Sequence, residues 1–333
     1  MRIFVCEYVT GGGLAGQPLP ASLSREGDMM LTALVKDLAP LESVEIVTTR
    51  DKRLPAFWAD VEVLMIDEPG AFWPRWTELI RSADAVWPIA PESGGILARI
   101  SELTVDAGRR LLASDPQSVR LATSKLATAR QLTKAGISTV PTASLGNSEV
   151  FGRPSAWVVK PDDGAGAENT LMFDAAGDLD RWMAANQKPH MILQPYVSGP
   201  AASLSLLCRD GAAWLLTCNE QLIEISGNEF RYCGFIVGGR EFRRTDYQPI
   251  ASAVAAAVPG LWGYVGVDLI DGPDGPLVLE INPRLTTSYA GLRQAIGVNP
   301  SGLVLELLNR QIPDIQRPLR VTPQRVDVEL SDG

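Results

Sequence analysis

Short apolar runs alternate with longer amphipathic stretches along the first third of the chain. RIFVCEYV, VEIVTT, VEVLMID and AVWPIA are rich in β-branched and aliphatic residues and predict strands. REGDMMLTALVKDL, WTELIRSA and GILARISELTVDAG, lying between or after them, repeat their apolar residues at helical spacing. Elements in that order predict a parallel sheet of the doubly wound type over residues 1–112. A second unit, residues 113–197, opens near Ser114-Asp115-Pro116. One helix is expected over SVRLATSKLATARQLTKAG, with Gly136 as its stop, followed by extended ISTVPTASL. Then come a strand SAWVVKP, a small-residue loop DDGAGAENT, a strand LMF, a helix near DLDRWMAAN and a strand MILQPYV. Residues 198–333 are richer in strands: ASLSLLCRD and GAAWLLTCNEQLIEI, a helix QPIASAVAAAV, a β-hairpin, a last helix GLVLELLNRQ, and a Pro-rich tail that is extended or loosely packed. The fold class is α/β, with α+β character after residue 112. No internal repeat or flexible linker interrupts the units, so they are expected to pack tightly.

The hairpin segment Gly263–Tyr289, GYVGVDLIDGPDGPLVLEINPRLTTSY, carries the densest chemistry. Gly, Pro and Asp form a turn between two aliphatic runs. With Ile270 paired near Val278, Asp268 falls opposite Glu280, and Asn282 shares the Glu280 face because side chains alternate along a strand. Directly opposed residues have Cβ atoms only ~5 Å apart, and like charges there destabilise the pair. Two carboxylates and an amide converging in this way ask for a cation. Oxygen-only donors suit a hard ion such as Mg2+, with Mn2+ as an alternative, bridging to a phosphate. The competing reading is a charged hairpin with both acids on a wet face. Arg284, set just past the strand end by Pro283, favours the cation, since phosphoryl or acyl chemistry requires a permanent positive charge beside the carboxylates.

Composition narrows the function classes. At 333 residues, with 46% hydrophobic and 21% charged positions, the chain has material for two or three ordinary globular cores. A net charge of −9 with no basic run argues against nucleic acid as a partner. RIFVCEYV is too short, and too soon followed by Gly11–Gly13, to be a signal peptide. SAVAAAVPGLW, broken by Pro259, is far from membrane-spanning length. A soluble, cytoplasmic protein acting on small molecules is expected, with homo-oligomerisation left open. Cys6, Cys208, Cys218 and Cys233 lack CxxC spacing and read as buried free thiols rather than disulfides or a zinc site. His190 is the only histidine and is expected in a loop, which excludes sites built on several histidines.

Gly11, Gly13 and Gly16 match GxGxxG after the first strand, but Gln17-Pro18-Leu19-Pro20 follows where a helix should begin. A dinucleotide site is therefore not expected, although the loop could approach a small substrate closely. Glu92, in Pro91-Glu92-Ser93-Gly94-Gly95 after the fourth strand, is either a group that holds a substrate amine or an exposed loop acid. Lys160 ends an apolar strand before Asp162–Ala167, where a point charge and approachable N–H groups suit phosphate. The alternative is a solvated lysine at a hairpin turn, and Lys125 in mid-helix reads as a surface residue.

Lys125, Lys160 before a Gly-rich loop, LQPYVSGP at a strand end, and then Asp268, Glu280 and Asn282 resemble the ATP-grasp superfamily in order and spacing. The resemblance spans roughly residues 115–310, and residues 1–112 are similar to the Rossmann-like domain that precedes the ATP-grasp fold there. Glu280-Ile281-Asn282-Pro283-Arg284 resembles the ExNxR segment. The resemblance implies a lid subdomain at 113–197 and a catalytic subdomain at 198–333. It also implies Mg2+ on Asp268, Glu280 and Asn282, and ATP phosphates on Lys125, Lys160 and a lid loop containing Asp163, Gly164, Ala165 and Gly166. Arg284, with Lys160, would stabilise the acyl phosphate and tetrahedral intermediate. An adenine hinge is implied at Gln194, Pro195, Tyr196 and Val197. The Pro195 carbonyl would accept from the adenine amino group and the Val197 N–H would donate to the ring, an order that proline permits because it lacks only the donor. Ala201 stands where many relatives place a ribose-binding Glu.

EYVTGGG, PESGG, NEQLIE, Tyr232-Cys233-Gly234 and EINPRLTTSYAGL further resemble the tyramine–glutamate ligase group of methanofuran biosynthesis, whose bacterial relatives accompany methylofuran formation in one-carbon metabolism. That implies an ADP-forming ligase joining the γ-carboxylate of L-glutamate to tyramine or tyrosine. Substrate contacts would come from Glu92, Arg231, Tyr232, Arg284, Ser288 and Tyr289, with Arg240 and Arg243 as further carboxylate-holding candidates. Another amino-acid or dipeptide ligase of the superfamily is the alternative. A non-catalytic nucleotide-binding regulator is a third reading, supported only by Ala201.

Overall fold

Every strand of the N-terminal third returns in the same direction. In this computed structural model, which describes residues 1–56, 58, 61–145, 154–164, 169–186, 190–309 and 319–328, that third contains β1 (Arg2–Glu7), α1 (Ala21–Leu38), β2 (Glu45–Asp51), β3 (Glu62–Ile66), α2 (Phe72–Ser82), β4 (Ala85–Ile89), α3 (Ile96–Asp106) and β5 (Arg110–Leu111). The strands pair in parallel in the order β3-β2-β1-β4-β5. Residues of β1 and β4 alternate between two cores. Ile3, Val5 and Trp87 pack with Leu31 and Leu34 of α1, while Phe4 and Val86 pack with Trp76 of α2 and Ile100 of α3. Burial on both faces explains why these strands read as continuous apolar runs.

The glycines after β1 are required by this packing. Val9–Gly13 are all buried. A Cβ on Gly12, where φ is +99°, would lie 2.5 Å from Ile66, and one on Gly13 would lie 2.4 Å from the Tyr8 ring. The Glu7 carboxylate closes the turn by accepting from the Val9 N–H at 3.1 Å and the Thr10 hydroxyl at 2.6 Å. The next helix starts only at Ala21, so no helix N-terminus follows Gly16.

The rest of the chain forms α4 (Pro116–Thr123), α5 (Lys125–Lys134), β6 (Ala143–Ser144), β7 (Trp157–Pro161), β8 (Leu171–Phe173), α6 (Ala176–Ala185), β9 (Met191–Pro195), β10 (Ala201–Arg209), β11 (Ala212–Ser226), β12 (Glu229–Val237), α7 (Arg244–Ala257), β13 (Gly263–Gly272), β14 (Gly275–Asn282), α8 (Tyr289–Ile296), α9 (Pro300–Leu308) and β15 (Gln324–Asp327). Its strands follow the path β14-β13-β10-β11-β12-β8-β7-β9-β6, with β15 beside β12. The β8-β7-β9-β6 portion has its own small core with Leu179 of α6. It joins the larger portion where Leu171 meets Glu229 at the tip of the long β11–β12 hairpin.

Several elements depart from the pattern in the sequence. The single helix expected over SVRLATSKLATARQLTKAG is two helices, because Ser124 is extended (φ −95°, ψ 113°) and caps α5. Its Oγ accepts from the Ala127 N–H at 3.0 Å and donates to Asp162 at 2.6 Å, and the Leu126 N–H donates to Asp162 at 2.8 Å. Lys125 thus opens a helix instead of lying in the middle of one, and it is buried at 7% exposure rather than on the surface. β12 and α8 were not anticipated, and the described end of the tail is extended as β15. Cys6, Cys208 and Cys218 are buried free thiols, and burial pushes Cys208 and Cys218 up to about 12, which makes them unreactive. His190 is an exposed turn residue. No helix among the described residues is long and apolar enough to cross a membrane.

Loss of the cap at the helix break has a measurable cost. Ser124→Ala should lower stability by about 1 kcal/mol, seen as a reduced urea midpoint at unchanged m-value; an unmoved midpoint would show that Asp162 alone sustains the break.

Candidate active site

One face of the large sheet is polar along a row that crosses four strands. Glu280 lies opposite Asp268, Asp268 opposite Ser203, and Ser203 opposite Asn219. A parallel row runs Asn282, Gly266, Ser205 and Thr217. The intervening residues Ala202, Leu204, Val267 and Ile281 face the other way into the core with Leu132 of α5 and Val254 of α7. The acids meet, but not through the pairing read from the sequence. Ile270 pairs with Leu277, since Gly272 and Gly275 close a two-residue turn, and a bulge at Leu279 restores the Asp268–Glu280 opposition. Asn282 Nδ2 donates to Asp268 Oδ2 and Gln221 Nε2 to Asp268 Oδ1, both at 3.1 Å. Burial raises the Asp268 carboxyl well above the ordinary range, and the facing Glu280 charge raises it further.

Two ammonium groups answer these carboxylates. Lys125, aimed by the start of α5, places Nζ 3.1 Å from Glu280 Oε2 and also donates to the Gly164 carbonyl. Lys160 ends β7 beside them. Burial, with Lys125 as a like charge, holds it down to about 8, against the pull of Glu280 and Asp268. Burial by itself would raise Glu280, but the Lys125 and Lys160 charges outweigh it and keep this carboxyl low.

Arg284 extends from the end of β14 to the N-terminal module. Its Nε lies 3.0 Å from both oxygens of Glu92, and its Nη2 lies 2.8 Å from Oε2. Glu92 is buried at 6% exposure, so it is not an exposed loop acid. The neighbouring Gly94 N–H reaches Asp163 at 3.4 Å, which ties the same loop to the segment after β7. Glu26 of α1 adds negative charge near Arg284 and Tyr232. Tyr232 packs on Phe235 and hydrogen-bonds Thr287.

The remaining expected residues divide into near and far. Gln194 is buried, with Nε2 donating to Thr142 at 2.8 Å. The Tyr196 N–H, just past the end of β9, donates to the Ala156 carbonyl just before β7 at 2.9 Å. Ala165 and Gly166 fall outside the described residues. Tyr289 is not at the site. It is a core residue whose hydroxyl bonds Asp37 at 2.9 Å and Ser301 at 2.8 Å. Ser288 is buried in a hydroxyl network with Tyr264 and Thr286. Arg231 is exposed and faces Glu224, on the side of β12 opposite Tyr232. Arg240 and Arg243 pair with Asp271, not with the cleft. The sequence reading missed Glu26, Gln221, Ser203 and Ser205. The alternating serines of ASLSLL, set against NEQ on the neighbouring strand, were the available signal for the polar face.

The donor chemistry fits a hard cation. No three His, Cys, Asp or Glu side chains gather among the described residues. A metal here would therefore rest on the two acids and the Asn282 amide, and take its other oxygens from phosphate and water. The Asp268 carboxyl is raised by burial first and by the facing Glu280 charge second, and a cation would offset both.

A doubly wound parallel sheet followed by a large antiparallel sheet carrying this polar row defines the class: a pre-ATP-grasp module followed by an ATP-grasp module. The ATP-grasp domain model matches residues 122–288 and the pre ATP-grasp 3 domain model matches residues 44–119. The chain belongs to the ATP-grasp family, whose enzymes use ATP and a divalent metal. It is 24% identical to a tyramine–L-glutamate ligase of Methanocaldococcus jannaschii, over 98% of this chain and 94% of that protein. Its fold is similar to that of an ATP-grasp superfamily protein of Archaeoglobus fulgidus, with TM-score 0.71, 20% identity, and coverage of 99% and 100% of the two chains. An L-amino acid ligase of Bacillus licheniformis matches with TM-score 0.66 and 15% identity over 97% and 77% of the chains.

A lysine held near 8 would titrate if it bound phosphate. Above its lowered pKa the free protein holds part of Lys160 neutral, and adjacent phosphates would favour its charged form, so nucleotide binding at pH 8.5 should draw in a fraction of a proton. Calorimetry of MgATP binding in buffers of different ionisation enthalpy measures this uptake. The uptake should vanish in Lys160→Met, and equal uptake in both proteins would place the titrating group elsewhere.

Proposed function

We propose that the chain is an ATP-dependent carboxylate–amine ligase that joins the γ-carboxylate of L-glutamate to an aromatic amine, tyramine or tyrosine, in the biosynthesis of a methanofuran-type coenzyme. The observation that carries this reading is the Asp268–Glu280–Asn282 set flanked by Lys125 and Lys160, with a guanidinium one step along the same strand end. The full-length similarity to tyramine–L-glutamate ligase supports the choice of substrates.

In this reading Asp268, Glu280 and Asn282 hold Mg2+, or Mn2+ in its place, which when bound neutralises charge on the ATP phosphates. Lys125 and Lys160 bind the phosphates, with Asp163, Gly164, Ala165 and Gly166 as the loop that covers them. Gln194, Pro195, Tyr196 and Val197 receive the adenine. The substrate carboxylate oxygen attacks the γ-phosphorus, ADP departs, and an acyl phosphate remains. The neutral amine then adds to its carbonyl carbon, and Arg284 donates to the oxygen that becomes negative. The amine loses a proton and phosphate leaves as the amide forms. The protein's part is positioning and charge compensation, so no histidine or cysteine nucleophile is required.

ADP release by the purified protein should rise when L-glutamate and tyramine, or L-glutamate and tyrosine, are both present, with the amide identified by mass spectrometry. Product from a different acid–amine pair would move the chain to another amino-acid or dipeptide ligase. Tight ATP binding without turnover under any pair would make it a regulator. Glu280→Gln should lower turnover on the order of a hundredfold or more while circular dichroism stays unchanged; near-normal activity would remove Glu280 from the mechanism.

A further inference from the structure

The long β11–β12 hairpin carries two unlike faces. On one lie Glu224, Ser226, Glu229 and Arg231, all exposed. On the other lie Ile223, Ile225, Phe230 and Tyr232, since Ile223 pairs with Tyr232 and Ile225 with Phe230. This division holds because a bulge absorbs Cys233, with Gly234 at φ +146° beside it. Ile223 is 38% exposed and Ile225 41%. A single exposed isoleucine is ordinary, but a contiguous apolar set on one side of an otherwise charged hairpin marks a surface built to meet an apolar partner.

Strand register places this surface beside the carboxylate pair. Side chains two apart on a strand share a face, so Ile223 and Ile225 continue the side of β11 that carries Asn219 and Gln221. Gln221 donates to Asp268 at 3.1 Å, and Asn219 donates to Ser203 and Ser205 at 3.3 and 3.1 Å. With a rise of ~3.3 Å per residue, Ile223 lies one step of ~7 Å along the strand from the residue that touches Asp268. Ile225 lies one step further. The tip of the hairpin is fixed as well. Glu229 pairs with Leu171 of β8, Leu171 pairs with Val159 of β7 next to Lys160, and the Met172 N–H donates to the Asn228 carbonyl at 2.8 Å. Tyr232 stacks on Phe235 with ring centroids 6.5 Å apart, which ties the surface to the buried core. The apolar shelf therefore runs from the carboxylate pair toward the sheet that carries Lys160.

We propose that Ile223, Ile225, Phe230 and Tyr232 form the surface that receives the aromatic ring of the attacking amine, with Ile223 and Tyr232 as the pair that sets its specificity. The inference rests on the ligase reading given above and assigns the second substrate of that reaction. Two carbons separate ring and nitrogen in an arylethylamine. A ring lying on Ile223 and Tyr232 thus leaves the nitrogen within a strand step of Gln221 and Asp268, where the ligase reading activates the acyl group. Neither a polyphosphate nor a dicarboxylic amino acid suits this shelf, because each needs charged or hydrogen-bonding partners and the shelf presents methyl groups and ring faces. A flat ring gains contact area there and keeps its polar end toward water. Adenine is the other flat ring in the reaction, but the groups assigned to it begin on β9, which β8 and β7 separate from the hairpin.

The test compares tyramine with ethylamine, or tyrosine with alanine, each pair differing only by the hydroxyphenyl group, at saturating MgATP and L-glutamate. Wild-type protein should prefer the aromatic member in kcat/KM. In Ile223→Ser that preference should fall on the order of tenfold through the KM for the aromatic amine. Kinetics with the small amine and the KM values for MgATP and L-glutamate should stay unchanged. Ile223→Leu should retain most of the preference, and adding Ile225→Ser to Ile223→Ser should lower it further. Glu224→Gln, on the charged face of the same hairpin, should change none of these constants. Both isoleucines are exposed, so the urea midpoint should not move. An intact preference in the double variant, or a rise in the KM for MgATP or L-glutamate instead, would overturn the assignment. If that intact preference came with a wild-type dimer dispersed by the double variant, the face would belong to a second copy of the chain. Failure of wild-type protein to turn over any amine would sink the ligase reading. Calorimetric binding of tyramine to the MgADP-loaded wild type and Ile223→Ser would then decide the shelf. Binding about tenfold weaker in the variant supports it, and equal affinities, or no binding to wild type, would overturn it.

Discussion

Two carboxylates face each other across a β-ladder, and much of the surrounding architecture compensates for that repulsion. Asp268 and Glu280 are held in opposition by a bulge that reverses the offset set by the two-residue turn. Two amides steady Asp268 and two ammonium groups draw down Glu280. Each cation is placed near the end of an element: Lys125 as the first residue of a capped helix, Lys160 as the penultimate residue of a strand. Charges aimed this way need little reorganisation when a polyanion arrives, which is the condition for electrostatic catalysis.

The site is also where the modules meet. Glu92 comes from the doubly wound sheet and Arg284 from the catalytic sheet, and their buried ion pair crosses the boundary. Beneath it, Leu31 and Leu34 of α1 share one apolar core with Leu207, Phe235, Tyr264 and Leu292. That core fixes the relation of these two modules. The lid sheet, by contrast, joins through the tip of one hairpin and through polar contacts such as Gly94 with Asp163. The β8-β7-β9-β6 sheet keeps its own small apolar core and is attached along an edge, so Lys160 on β7 belongs to the part with least apolar attachment to the rest.

Particular residues show how far sequence reading reached. The strands of the parallel sheet were legible because burial on both faces leaves unbroken aliphatic runs. The hairpin acids were legible because a Gly/Pro turn fixes the approximate register. The Ser124 break was hidden, since the helical periodicity of α4 and α5 continues through it and the partner that sustains it, Asp162, lies 38 residues away. β12 was hidden because EFRYCGFIV mixes charged and apolar residues without clean alternation. Tyr289 carries the same phenol whether it lines a cleft or fills a core, and only its contacts with Asp37 and Ser301 assign it to the core.

The amino-acid order by itself determined the alternation of elements, the turn that folds β13 onto β14, and the clustering of Asp268, Glu280, Asn282 and Arg284 along one short segment. These depend on period, turn chemistry and nearest neighbours, which are local properties. Tertiary structure decided which charges are mated. It gave Glu92 to Arg284, 192 residues apart, and brought Lys125 and Lys160 to Glu280. The energy of a buried charge depends on what surrounds it in three dimensions, and that environment exists only once distant segments have packed.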